Sequence, residues 1–319
     1  RMAASEREQK SEGREGGGAL CEAGELVFEC IAWDEAHFLF AEIFERRVYE
    51  QHGATLDGCP RCRSRSTSGL IVDAGANIGL FALACATRSP AEGRFPHPRV
   101  LSVEPARAAY DVLCRNTADH SNVLPIRAAL GQRDQASVSI TYFERCPGES
   151  TRHPEERAQM RRVLAQEAQL AGVAHLLHGA VDAHLYTADS GDEGDEAGKA
   201  EAVQQLTVSS LLRAHAQPAE PVHLLKVDVE GEELQVLRGV DPSDWPRICQ
   251  VVVEVHDIPP ADTGRQTLCS RQWAADSGQQ ATASGQQAAG SGQWAAGRGQ
   301  QTVGTPLASA AAALPAAAQ

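Results

Sequence analysis

The sequence predicts an α/β protein, a parallel β-sheet with helices on both faces, and three observations carry that prediction. Between residues 69 and 128, three short apolar runs alternate with helical or loop segments, the order in which a chain lays down parallel strands joined by crossovers. Two later runs, "PVHLLKVDVEG" and "ICQVVVEVHD", are almost continuously apolar, as strands covered on both faces are. The first run ends in "IVDAGANIGLF", an acid and a glycine-rich turn leading back into apolar residues. Such strand-to-helix turns line ligand sites at the carboxyl edge of α/β sheets.

Taken in order, residues 1–23 are polar and glycine-rich and are expected to be disordered. The globular domain is expected over 24–265. "ELVFEC" opens it as a strand, and residues 35–50 place Phe38, Leu39, Ile43 and Phe44 at helical spacing, an N-terminal cap over the core. Strands follow at Gly69–Asp73, Arg99–Glu104 and Asn122–Ala128. From about 146 to 204 the chain reads as an insertion, helical in pattern over 154–180 and then acidic and aperiodic in "TADSGDEGDEAGKAEA". Residues 266–319 read as a low-complexity tail, in which "SGQQATA", "SGQQAAG" and "SGQWAAG" begin at Ser277, Ser284 and Ser291. A seven-residue period without Leu or Ile, and with Gly in each copy, is not a coiled coil.

The formal net charge of -13, with no basic patch to offset it, argues against nucleic acid and anionic membrane surfaces as partners. No run approaches the roughly 18 apolar residues of a membrane span, and the charged N-terminus has no apolar secretory core. Nine irregularly spaced cysteines suggest a reducing compartment rather than a disulfide framework, and a cytoplasmic location is expected. Cys59 and Cys62 have no second ligand pair nearby, so a loop with two thiols is preferred to a zinc site.

The turn itself reads Asp73-x-Gly75-x-Asn77-x-Gly79, and the second strand ends in Glu104. An acid beside the turn suits a cationic ligand better than a dinucleotide diphosphate, which favours the GxGxxG pattern and a helix N-terminus. S-adenosylmethionine carries a sulfonium and an ammonium and no phosphate, and Glu104 stands where a carboxylate accepts the ribose hydroxyls, a feature that NAD enzymes share, so that the acid in the first turn is what discriminates. A glycine-rich turn with a capping acid can also exist with no ligand at all.

From about residue 35 to 258 the chain resembles the FkbM-type S-adenosylmethionine-dependent methyltransferases, through "EIFERRVYEQHG", "VDAGANIGLF", "VEP", "ITYFERCPGEST", "HLLKVDVEGEELQVLRGV", "DW" and "VVVEVHD". The resemblance implies a Rossmann-like class I methyltransferase sheet and methyl transfer to a hydroxyl of a natural product or sugar. It places Asp73, Gly75, Asn77 and Gly79 around the methionine part, Glu104 on the ribose, and Ala128 and Ala129 along the adenine side. It also implies closing strands after "EVHD", one of them antiparallel. No strand pattern follows Leu268, so those strands are expected to be missing, leaving "VVVEV" as an apolar edge that invites self-association.

A hydroxyl attacks poorly unless a base takes its proton. "KVDVEG" offers Asp228 and Glu230 and "EVHD" offers Glu254 and His256, each pair two residues apart and so on one face of a strand end. His256 is the first choice of base, oriented by Glu230 or Glu254, whereas Glu233 reads as a helix-start acid facing the dipole. A metal-free base is preferred to a divalent ion held by these acids, and no metal ligand is assigned. Lys226, unexpected in a buried strand, is expected to pair with one of the acids. Two alternatives stand behind the O-methyltransferase: a catalytically degenerate cofactor-binding module on the same fold and, third, a hydride-transfer enzyme.

Overall fold

A computed structural model of the chain describes residues 19–23, 26–51, 53–56, 69–87, 98–144, 146–159, 198–256 and 270–276. Period-two alternation divides the central strands between two cores. In β3 (Leu70–Ala74), Leu70, Val72 and Ala74 join one core and Ile71 the other. The same split runs through β4 (Arg99–Val103) and β9 (Val222–Val227). Each fully buried Leu, Ile or Val contributes roughly 1.5–3 kcal/mol over exposure, so the two-sided pattern commits these strands to the sheet interior.

Between them lie α2 (Leu80–Thr87), α3 (Arg107–Asn116), β5 (Val123–Ile126), β6 (Ala129–Leu130), β7 (Gln135–Tyr142), β8 (Lys199–Leu206) and α4 (Val208–His215). The chain continues with α5 (Glu233–Arg238), β10 (Gln250–His256) and β11 (Ser270–Asp276). The main sheet runs β11-β10-β9-β3-β4-β5, with parallel pairing from β10 to β5. Phe81, Ala82 and Cys85 of α2 cover one face, and Leu211 and Leu212 of α4 with Val236 of α5 cover the other. This is a doubly wound, Rossmann-like α/β fold. β6, β8 and β7 make a second, three-stranded sheet.

Ahead of the sheet, β1 (Ala19–Ala23) and β2 (Leu26–Cys30) form an antiparallel hairpin, followed by α1 (Trp33–Phe40) and a π turn over Ala41–Glu45. Phe28 and Ala36 pack on Ile78, Leu80 and Leu83, with Leu39, Phe40, Ile43 and Phe44 at the margin, which is the expected cap over the core.

Several expectations are corrected. Residues 19–23 are a strand rather than a disordered end, since backbone pairing with β2 satisfies them whatever their polarity. Cys21 and Cys30 form a disulfide, which removes the cysteine argument for a reducing compartment. The insertion is narrower than 146–204: Thr151 pairs with Thr141, 154–159 is helical, and Lys199–Leu206 pairs antiparallel with β7. Only Val203 and Gln205 of that strand are fully buried, so its alternation hides in a charged, alanine-rich sequence. The edge of β10 is also covered, because Ser270–Asp276 pairs antiparallel along its whole length. Main-chain hydrogen bonds supply that strand, and a polar, low-complexity sequence does not prevent them. Residues 277–319, Cys59, Cys62 and most of the acidic run lie outside the described residues.

Gly75 lies at φ +77, and a Cβ built there meets the Asp228 carbonyl oxygen at 1.7 Å. Gly53, at φ +92, has nothing within 4 Å. Gly53→Ala is therefore expected to cost only the left-handed penalty, about 1 kcal/mol, whereas Gly75→Ala should cost about 3 kcal/mol or more. Urea melts of the two variants measure the difference, and equal losses would contradict the contact.

Candidate active site

The strand order turns back at β3: the chain moves outward through β4 and β5, then returns to β9 on the other side. At such a switch point the carboxyl ends of two neighbouring strands diverge and open a crevice. Here the Asp228 N–H donates to the Ala74 carbonyl (3.1 Å), while the N–H groups of Gly75 and Ala76 donate to the Val103 carbonyl (both 3.0 Å). The turn is thus stitched to β4 and β9 together. Gly75 is required by Asp228, and Gly79 (φ +90) by Leu113, whose Cδ1 lies 2.6 Å from an added Cβ. At Gly75 the close neighbour is the Asp228 backbone, and at Gly79 it is the Leu113 side chain.

Asn77, also left-handed at φ 46, distributes hydrogen bonds. Its backbone N–H donates to Glu104 Oε2 (2.8 Å), and its Nδ2 donates to Glu35 Oε1 (2.9 Å). Glu104 Oε1 accepts from the Ala106 N–H (2.8 Å). Burial pushes the Glu104 carboxyl up to about 7, against the opposing pull of those two N–H groups and of Lys226. Glu35, on α1, is likewise raised to about 7 by burial, partly offset by Asn77 and by the Gly148 N–H that donates to Oε1 at 2.7 Å.

One row of polar groups crosses the sheet beneath the turn. Asp73 faces Ser102 on one side and Lys226 on the other, all three almost completely buried. Lys226 Nζ lies 3.1 Å from Asp73 Oδ1 and 3.6 Å from Asp228 Oδ2, and donates to the Gly75 carbonyl at 2.8 Å. It also stands over the rings of Tyr49 (5.1 Å) and Phe81 (5.6 Å). Burial opposes its charge, but Asp73 and Asp228 outweigh burial and hold the ammonium above its ordinary value. For Asp73 burial wins, and its pKa is raised despite Lys226. The Tyr49 hydroxyl donates to Asp228 Oδ2 (2.8 Å), and burial followed by the Asp228 charge keeps that phenol protonated.

At the ends of β9 and β10 a second group assembles. His256 Nδ1 lies 2.9 Å from Glu233 Oε1 and Nε2 lies 3.4 Å from Glu230 Oε1. Glu230 has left-handed backbone (φ 53), and its carbonyl accepts from Thr151 Oγ1 (2.6 Å). Burial lowers the His256 pKa, but the charge of Glu230, the hydrogen bond to Glu233 and the charge of Asp228 raise it well above 6.5. Glu230 is pushed well up by burial, and Glu254 to about 7 by burial and then by Asp228. Asp228, Glu230 and His256 each bring a ligating atom within 4.8 Å of the others, donor types suited to a divalent cation.

The structure therefore brings Asp228, Glu230, Glu254 and His256 to one end of the sheet, with Lys226 paired to Asp73 and Asp228. Three sequence readings change. The carboxylate that holds His256 through Nδ1 is Glu233, whose Oε1 also accepts from the Gly231 N–H (2.8 Å), so it does more than face a helix dipole. Asp73, completely buried, addresses Lys226 rather than an open cleft. Ala128 and Ala129 are packed into hydrophobic cores instead of lining a cleft, because β6 turns there to join the second sheet. Glu35, Tyr49 and Thr151 were not singled out in the sequence. Burial of an acid in "WDEAHF" has no local signal, since its partners lie 42 and 113 residues away.

Removing one partner of a buried ion pair leaves the other charge stranded, typically at about 3–5 kcal/mol. Lys226→Met is expected to lose that much, and adding Asp73→Asn should recover part of it. Denaturant unfolding of the single and double variants checks the coupling; simple additivity would contradict it.

No helix among the described residues is long and apolar enough to cross a membrane. Residues 73–278 match the model of the methyltransferase FkbM domain. The methyltransferase sdnD of Sordaria araneosa is 33% identical over 74% of this chain and 80% of its own length. Methyltransferase 1 of Beauveria bassiana is 31% identical over 70% and 74% of the two chains. The 31-O-demethyl-FK506 methyltransferase FkbM of Streptomyces tacrolimicus is 33% identical over 70% and 76%. The chain, with its doubly wound sheet and its cluster of acids and histidine at the ends of β9 and β10, belongs to the FkbM methyltransferase family.

Proposed function

We propose that the chain is an S-adenosylmethionine-dependent O-methyltransferase acting on a hydroxylated small molecule, a natural product or a sugar. The observation that carries this reading is a surplus of buried acids over buried cations. Glu35, Glu104, Glu230 and Glu254 are all raised by burial at one end of the sheet, and Lys226 and His256 are the cations their neighbourhoods contain. A cofactor bearing a sulfonium and an ammonium relieves that surplus, whereas a dinucleotide diphosphate adds to it. Oxygen as the acceptor is supported by the printed name of the Streptomyces relative, a 31-O-demethyl-FK506 methyltransferase.

When bound, the cofactor supplies a methyl group made electrophilic by the sulfonium. The turn through Gly75, Asn77 and Gly79, with Asp73 buried beneath it, holds its amino-acid part, and Glu104, already anchored by two backbone N–H groups, accepts from the ribose. His256 takes the acceptor's hydroxyl proton at Nε2. Glu233 holds Nδ1 and fixes which nitrogen faces the substrate. Most of the remaining rate comes from alignment of the reactants by Asp228, Glu230 and Glu254. The cluster of Asp228, Glu230 and His256 also favours a second reading, in which a divalent cation lowers the hydroxyl's pKa and His256 is a ligand.

Calorimetry with S-adenosylhomocysteine and NAD tests the cofactor: preference for NAD would overturn the proposal. Glu104→Gln should weaken S-adenosylhomocysteine on the order of ten- to a hundredfold, the value of a charged hydrogen bond. His256→Ala should lower transfer about 10²–10⁴-fold while leaving that affinity nearly unchanged, and equal loss of both would mark a structural histidine. Because His256 is held protonated well above 6.5, its base form grows as pH rises. Single-turnover rates should therefore climb through neutral pH into the alkaline range, and a rate that falls over that interval would contradict the base. Loss of transfer in EDTA with recovery in Mg²⁺ selects the metal reading.

A further inference from the structure

Beside the glycine turn, Ile31, Glu35, Leu39, Asn77, Ile78 and Pro147 are among the residues that line a small, partly open pocket. Most of its wall is apolar, yet two buried polar atoms in the groups that line it, Glu35 Oε2 and Asn77 Oδ1, have no hydrogen-bond partner among the described residues. Both are acceptors. The Asn77 amide cannot be reversed without setting its oxygen against Glu35 Oε1, which already takes the N–H groups of Asn77 Nδ2 and Gly148. The orientation that leaves Oδ1 unpartnered is therefore the one the neighbours impose.

We infer that Glu35 and Asn77 are the receptor for the ammonium group of the cofactor's amino-acid moiety. The inference rests on the cofactor reading above and adds to it a residue from α1, outside the glycine turn. A primary ammonium brings three N–H donors and a positive charge, and accepts nothing. A carboxylate or phosphate would add acceptors to a site that has only acceptors left over. A water could donate to both atoms, but it would leave the buried carboxylate without a counter-charge. Among the described residues the charged neighbour acting on Glu35 is the anion Glu149, and the Glu35 carboxyl stands raised to about 7. Asn77 then separates two acids with different tasks: its backbone N–H holds Glu104 and its side chain holds Glu35.

The test uses the full chain, titrated calorimetrically with S-adenosylhomocysteine and with methylthioadenosine, which lacks the amino-acid end. In Glu35→Gln the two accepted hydrogen bonds at Oε1 can persist while the charge is lost. S-adenosylhomocysteine should then bind on the order of ten- to a hundredfold more weakly, with methylthioadenosine changed less than twofold. Equal weakening of both ligands, or of neither, would overturn the inference. Should the variant fail to fold, the wild-type protein decides: S-adenosylhomocysteine without its α-amino group should lose on the order of ten- to a hundredfold, and an unchanged affinity would overturn the inference. Failure of the wild type to bind S-adenosylhomocysteine at all would instead bring down the cofactor reading itself.

Discussion

The Lys226 ammonium is the constraint around which the carboxyl edge of the sheet is arranged. It touches β3 through Asp73, the glycine turn through the Gly75 carbonyl, and the end of its own strand through Asp228. An ammonium moved from water to a protein interior loses several kcal/mol of solvation, which only well-placed partners restore. Two of these partners, Asp73 and Gly75, come from a part of the chain more than 150 residues from Lys226 in sequence, as the Gly75 contact at a separation of 151 shows. They can meet Lys226 only when β9 has inserted beside β3 in the right register. The polar row is thus a condition on the topology as much as on the site.

Above that row the charges are deliberately unequal. Asp228 is shared between Lys226 and the Tyr49 hydroxyl, Glu230 has His256 as its cation, Glu254 has His256 and, more weakly, Lys226, and the charged neighbour of Glu35 among the described residues is the anion Glu149. An apolar replacement would remove the desolvation cost of those acids. Buried acids perturbed in this way are candidates for contact with a ligand, and the proposed function uses them so.

Much of this was legible in the sequence, for identifiable reasons. β3, β4, β9 and β10 are short, apolar and covered on both sides, so their character is local. Asp73, Gly75, Asn77 and Gly79 were recognisable as a turn, although the reason for Gly75 was not: the atom it avoids belongs to Asp228. Spacing by two placed Glu254 and His256 together at the end of β10, whereas Asp228 and Glu230 lie in the turn after β9, where Glu230 has left-handed backbone and strand alternation does not apply. Glu233 looked like an ordinary helix-start acid because its bond to His256 spans 23 residues. Lys199–Leu206 looked like part of a charged loop because only its alternate residues are buried. The contacts that escaped are the long-range ones, and those decide the roles of Glu35, Glu233 and Ala128.

β11 extends the sheet through seven register partners, Gln250 with Asp276 through His256 with Ser270. Backbone groups make such a ladder, and every residue but proline supplies the same donor and acceptor. The segment can therefore drift in composition over generations, even into alanine- and glutamine-rich sequence, while continuing to shield the apolar strand beside it. Insertion of a proline at a bonded position is the one common substitution that such drift cannot absorb, and through β10 it would reach His256.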